Sequence, residues 1–240
     1  MLNSPFLCTG SGTLSLYVLC NRPYPHFRTN EDSPDMRKGR AIVVIGTPGT
    51  GKTGFSRLLA RKLGIDSINM TKFARQHNLI KSYDRKRRTH VVDERRLRHE
   101  LEKYLTSLKG SVLVEGHYSA SLVPTRLVDV VFVLRCNPKI LRDRLRRRGY
   151  PQAKIRENVE AEVLDICLSE ALATHRLRKI DEIDTSTGTI EDSVEEALLV
   201  LTKKKARRVG RCDWLAMLER AGRLDEFLQE RTVPWRKRLS

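Results

Sequence analysis

Long apolar runs, paired cysteines and acidic side chains are what this chain has least of, and each shortage excludes something. No stretch of its 240 residues approaches the roughly 18 apolar positions that a membrane-crossing helix needs, so an integral membrane protein is excluded. The five cysteines (Cys8, Cys20, Cys136, Cys167 and Cys212) are odd in number, scattered, and nowhere spaced C-x-x-C. That argues against a disulfide framework or a zinc cage and for the reducing cytoplasm. Asp and Glu number 29 against 46 Lys and Arg, a net charge of +17. Such an excess favours polyanions and is silent about fold. It is also uneven, with +2 over residues 1–40, +8 over 41–202 and +7 over the last 38 residues. What remains is a chain that is 40% hydrophobic, enough for one sizeable α/β core with appendages.

Residues 1–40 show no clear periodicity, hold Pro5, Pro23, Pro25 and Pro34, and are expected to form a loosely ordered extension. No Lys or Arg precedes Arg22, unlike a signal peptide, and Met36 is a second candidate start. From residue 41 strands alternate with helices. Ala41-Ile42-Val43-Val44-Ile45 is a continuous β-branched run of the kind buried on both faces of a parallel sheet. Further strands are expected at 65–69, 112–114, 130–134 and 180–184. A helix is expected over 52–63, ended by Gly64. Others follow at 71–77 and 93–108, separated by a polar connection. Asn137-Pro138 opens another helix that ends near Arg148-Gly149. Ile155, Val159, Val163 and Ile166 recur at helical spacing in a segment running to about Leu177. Thr189 with Asp192 has the form of a capping box before Val194, Ala197, Leu198 and Leu201. The alternation predicts an α/β fold, a five-stranded parallel sheet flanked by helices.

Between the first strand and its helix lies Gly46-Thr47-Pro48-Gly49-Thr50-Gly51-Lys52-Thr53, a full G-x-x-x-x-G-K-[ST] phosphate loop in its required context. Glycines allow the positive φ angles that turn backbone N–H groups toward phosphate oxygens, and the helix N-terminus favours anions. A lysine here reaches the β- and γ-phosphates of ATP, and a threonine hydroxyl can ligate Mg²⁺. The candidate nucleotide-binding residues are therefore Gly46, Gly49, Gly51, Lys52, Thr53 and the adjoining Gly54. There is no N-K-x-D, which removes the guanine reader of a GTPase, and no H-R-D or D-F-G, which excludes a protein kinase. A compact kinase or ATPase is left.

Six separated motifs follow in order: the phosphate loop, Ile68-Asn69 with Phe73-Ala74-Arg75, Val92-Asp93-Glu94, Val114-Glu115-Gly116-His117, Phe132-Val133-Leu134-Arg135, and Arg147-Arg148-Gly149-Tyr150. Over residues 41–202 the chain resembles the adenylate kinase-like P-loop NTPases of archaea and eukaryotes that are linked to small ribosomal subunit maturation. The resemblance implies a nucleoside monophosphate kinase architecture, with a monophosphate-binding insert at about 69–92 and a lid at about 147–157. It implies that Arg75 binds the acceptor monophosphate, that Arg148 meets the transferring phosphates, and that Glu115 lies near the magnesium. The family has Asp where this chain has Glu115, and the extra methylene alters its reach. His117 either orients a water for ATP hydrolysis or is a strand-end histidine satisfied by backbone. Arg146 and Arg147 are either lid residues or a solvated helix end. Adenine recognition is expected near Asp184-Thr185-Ser186-Thr187-Gly188, mainly through backbone groups.

Two basic segments stand outside this pattern: Asp84-Arg85-Lys86-Arg87-Arg88 in the insert, and Lys203-Lys204-Lys205-Ala206-Arg207-Arg208 leading into residues 203–240. Trp214, Met217, Leu218 and Ala221 share one helical face, and Leu224, Phe227 and Leu228 suggest a second short helix. This appendage is read as an RNA contact, a hairpin on the core, or both. The resemblance implies two activities that do not exclude each other. One is a kinase converting ATP and AMP, or another nucleoside monophosphate, to two diphosphates with Mg²⁺. The other is an ATPase whose cycle drives a step in small ribosomal subunit or 16S rRNA maturation, with a ribosomal small-subunit protein, rRNA or both as partner. A small-metabolite kinase is a third option.

Overall fold

The computed structural model describes residues 8–9, 13–16, 40–84, 89–117 and 119–228. Its centre is a parallel sheet of five strands: β3 (Ala41–Gly46), β4 (Asp66–Asn69), β7 (Val112–Glu115), β8 (Val128–Arg135) and β9 (Ile180–Asp184). They lie in the order β4-β7-β3-β8-β9, so the phosphate-loop strand is central. Successive side chains of a strand point to opposite faces, and here both faces are covered. Ile42, Val44, Phe132 and Leu134 pack under α1 (Lys52–Leu63) and α8 (Ile190–Leu201). Val43, Ile45, Val131 and Val133 pack on the other side. There they meet α2 (Met70–Gln76), α3 (Glu94–Ser107), the short α4 (Ser119–Leu122) and α7 (Ile166–Thr174). Each fully buried Leu, Val or Phe in these layers contributes about 1.5–3 kcal/mol.

The connection expected between 77 and 93 is instead an antiparallel pair, β5 (Ile80–Asp84) and β6 (Thr89–Val92). Its strands are short and mostly polar, so their pattern does not separate them from a loop. The basic residues 85–88 lie outside the described residues. Two short strands from the amino-terminal extension, β1 (Cys8–Thr9) and β2 (Thr13–Leu16), continue this second sheet beside β6. The remainder of the extension is outside the described residues.

Beyond β8, α5 (Pro138–Arg147) and α6 (Gln152–Val163) form a hairpin around Arg148, Gly149, Tyr150 and Pro151, where the lid is expected. The single long helix expected to about Leu177 is broken at Asp165, whose φ is +55°. Asp tolerates this left-handed conformation better than most residues, and its carboxylate accepts a hydrogen bond from Arg135. After α8 the chain crosses the sheet edge to α9 (Trp214–Arg220) and a 3₁₀ turn at Leu224–Glu226. Leu218 and Phe227 are buried against Leu141, Leu145, Ile155 and Val159, so this arm is a hairpin packed on α5 and α6. Residues 229–240 lie outside the described residues. No helix among the described residues is long and apolar enough to cross a membrane.

Arg135, only 1% exposed, is the largest fully buried side chain among the described residues. Its guanidinium donates to Glu162 Oε1 (2.9 Å), Glu182 Oε1 (2.6 Å) and Asp165. Removing one partner of a buried charge cluster leaves uncompensated charge. Arg135→Ala is expected to lower the unfolding free energy by about 3–5 kcal/mol, read as a shifted guanidinium midpoint at constant m-value.

Candidate active site

The phosphate loop leaves β3 through three glycines with positive φ: Gly46 (+147°), Gly49 (+101°) and Gly51 (+95°). A Cβ on Gly46 would lie 2.5 Å from the Leu134 carbonyl oxygen, and one on Gly49 would lie 2.6 Å from Leu141 Cδ1. The loop is therefore pressed against β8 and α5, and only glycine fits. Gly51, by contrast, faces open space. It caps α1 without a side-chain hydrogen bond, and the first turn carries no acidic residue. The N–H groups and dipole of α1 are thus left for an external anion. Gly54 faces Ile190 instead, 2.7 Å from where a Cβ would sit, so it lets α8 approach α1.

Lys52 folds back over the loop, donating to Gly46 O (2.6 Å) and Thr47 O (3.1 Å). Burial pulls its ammonium below the usual lysine range, while the carboxylates of Glu115 and Glu162 pull the other way. Glu115 ends β7 and is nearly buried. Asn69 donates to its Oε1 at 2.8 Å, and the Asn69 Oδ1 accepts from Thr71 N and Lys72 N at the start of α2. One asparagine thus caps the insert helix and aims the carboxylate. The other oxygen, Oε2, is buried without a hydrogen-bond partner. Thr53 is exposed on the first turn of α1. No group of three or more His, Cys, Asp or Glu side chains among the described residues could hold a metal. A hard cation that keeps most of its ligands as water and phosphate oxygens needs no such cage. The free Glu115 oxygen and the Thr53 hydroxyl fit Mg²⁺.

A cleft of about 290 Å³ opens beside the loop, lined by Gly49, Thr50 and Gly51 on one wall and by Arg144, Arg148 and Thr185 among others. Arg148 stands exposed at the end of α5. Arg144 is tied back to the Thr185 carbonyl at 2.6 Å, fixing the loop after β9 where adenine recognition is expected. Arg146 is engaged with Asp143 (3.5 Å). Arg75 is exposed on α2 and is not among the residues lining the cleft. The structure thus brings the phosphate loop and Arg148 together, and Lys52, Glu115 and His117 beneath them, while Arg75 lies apart on α2.

Sequence reasoning missed the layer below the loop. The Thr47 hydroxyl, wholly buried, donates to Glu162 Oε2 at 2.5 Å. Cys167 lies 3.9 Å from Thr47 Oγ1, and burial pushes its thiol up to about 12, so it is a neutral filler. A signal for Glu162 did exist: it falls three residues after Val159, on the apolar stripe of α6, where a carboxylate has no solvent to face.

His117 Nδ1 is 3.0 Å from the Gly46 carbonyl oxygen. A carbonyl only accepts, so Nδ1 carries the proton. Burial, with a further push from the Lys52 charge, lowers the imidazole pKa to about 3. Folding therefore keeps His117 neutral, whereas the unfolded chain takes up its proton as pH falls through about 6.5. Stability is unaffected above that value and declines as pH falls from about 6.5 toward about 3. Urea midpoints at pH 7.5 and pH 5 are expected to show a smaller acid loss in His117→Asn than in the wild type.

The family model described as an AAA domain matches residues 42–165. The protein named "Putative adenylate kinase" from Methanocaldococcus jannaschii is 36% identical over 176 residues, covering 72% of this chain and 92% of that protein. Its namesake from Pyrococcus abyssi is 41% identical over 173 residues, with coverages of 72% and 90%. The "Adenylate kinase isoenzyme 6 homolog" of Caenorhabditis elegans is 37% identical over 164 residues, with coverages of 68% and 90%. The chain belongs to the adenylate kinase-like family of P-loop phosphotransferases.

Proposed function

We propose that the protein is a nucleoside monophosphate kinase of adenylate kinase type, transferring the γ-phosphoryl group of ATP to AMP to give two ADP. The observation that carries this reading is the cleft itself: an uncapped phosphate loop on one wall, and the lid arginine Arg148 on the other. Phosphoryl transfer asks little covalent chemistry of a protein, so positioning and fixed cations supply the catalysis. Gly46, Gly49 and Gly51 direct backbone N–H groups at the phosphates. Lys52 exchanges its two loop carbonyls for phosphate oxygens. Arg148 neutralises charge on the transferring group, and Arg75 receives the AMP phosphate. Thr53 and Glu115 would hold Mg²⁺, which when bound withdraws charge from the phosphate oxygens.

In a coupled assay, ADP formation is expected to depend strictly on AMP. Lys52→Ala is expected to lower kcat by about 10²–10³. Arg75→Ala is expected to raise the KM for AMP and leave the KM for ATP in place. Turnover that ignores AMP, or that survives Lys52→Ala, would overturn the assignment.

A second reading, ATP hydrolysis coupled to maturation of the small ribosomal subunit, draws support from His117. An imidazole with a pKa of about 3 is a weak base, and a neutral histidine just after β7, beside Lys52, is suited to orienting a water rather than deprotonating it. The exposed cations of the arm would supply the rRNA contact. Lys205 and Arg211 are already paired with Glu196, so the test belongs on Lys204 and Arg208, whose side chains are exposed. Replacing both with Gln is expected to flatten the plot of log affinity for 16S rRNA against log salt by roughly 0.7–0.9 per lost phosphate contact. An unchanged slope removes the arm from rRNA binding.

A further inference from the structure

The carboxylate of Glu162 is 2% exposed and accepts four hydrogen bonds. Oε1 accepts from Arg135 Nε (2.9 Å), Cys136 N (3.0 Å) and Trp214 Nε1 (3.2 Å), while Oε2 accepts from Thr47 Oγ1 (2.5 Å). Two of these donors come from places with no other reason to communicate. Thr47 is the second residue of the phosphate loop, and its carbonyl receives both Lys52 Nζ and Thr50 Oγ1. Trp214 opens α9 of the carboxy-terminal arm and is buried.

The rest of the arm is fastened to the same cluster. Glu182, which bonds the far side of Arg135, takes the backbone N–H groups of Gly210 and Arg211 on its other oxygen. The neighbouring Asp181 accepts from Arg208 N at 2.7 Å. Phe227 lies under the Arg142 guanidinium, 4.6 Å from its centre, on the lid helix that also presses on Gly49.

We propose that Glu162 is a positioning residue for the phosphate loop and that Trp214 shares control of it, so that seating of the arm sets how tightly the loop holds its nucleotide. The inference rests on the loop being the ATP site. A carboxylate with four donors in place leaves Thr47 one orientation, and with it the carbonyl over which Lys52 is poised. With the indole N–H gone, three donors instead of four hold the carboxylate and the loop gains slack. Any partner that lifts the arm would loosen the nucleotide in the same way.

The test is a double-mutant cycle in the full chain, with the Kd for Mg²⁺-ATP measured by calorimetry. Trp214→Phe keeps the ring and deletes the N–H; Thr47→Val keeps the shape and deletes the hydroxyl. Each is expected to weaken ATP binding about threefold to tenfold, the net range of one ordinary hydrogen bond. Thr47→Ser, which retains the hydroxyl, is expected to restore wild-type binding. In the Thr47→Val background, Trp214→Phe is expected to add nothing, because the route through Glu162 is already cut. A Trp214→Phe variant that melts lower but binds ATP as the wild type does would overturn the proposal. So would two effects that simply multiply. A wild-type chain that binds no nucleotide would overturn the underlying site along with it.

Discussion

A guanidinium removed from water must be matched by carboxylates and satisfied at each N–H, or it costs several kcal/mol. Arg135 imposes that condition at the point where four parts of the molecule meet. Its carboxylates come from α6 (Glu162), the break after α6 (Asp165) and β9 (Glu182). Glu162 Oε2 reaches outward to the phosphate loop and Glu182 Oε2 to the arm, while Glu162 Oε1 also accepts from Trp214. The hydrogen-bonding demand of one buried guanidinium thus ties together the sheet, the α5–α6 hairpin, the loop and the tail. Apolar packing alone would allow these pieces to slide.

That constraint is what makes the phosphate loop usable. Its backbone must hold three glycines at positive φ with no side chain to lock them, and each costs more conformational entropy than any other residue. Contacts from outside compensate: Leu134 and Leu141 close against Gly46 and Gly49, and Glu162 holds Thr47. Electrostatics then follows. Burial pulls the Lys52 ammonium below its ordinary range while Glu115 and Glu162 pull the other way, and the Lys52 charge adds to the burial that lowers the His117 imidazole. The site presents a fixed cation beside a neutral imidazole, an arrangement suited to orienting phosphates and water.

How much of this could be read without coordinates depends on sequence distance. The loop was legible because its eight residues carry motif, strand and helix start together. Glu115 and His117 were legible as polar residues ending a buried strand. The Thr47–Glu162 bond spans 115 residues and the Trp214–Glu162 bond 52, and no periodicity links such positions. Asp165 reads as one more helical residue, because a side chain favours the left-handed turn only once Arg135 is there to meet it. The β5–β6 hairpin stayed hidden because its pairing, rather than its composition, makes it a sheet.

The arm shows why net charge is a weak guide by itself. Its sequence carries much of the chain's positive excess, which composition assigns to polyanions. In the fold, Lys205 and Arg211 face Glu196, Arg207 donates to the Arg178 carbonyl, and the backbone of residues 208–211 is held by Asp181 and Glu182. Part of the charge is therefore answered inside the molecule, by acidic groups on α8 and β9. A segment tied down in this way serves first as a brace. Because one further carboxylate, Glu162, accepts from both the Trp214 indole of the brace and the Thr47 hydroxyl of the phosphate loop, a contact that loads the arm from outside has a route to where the phosphates bind.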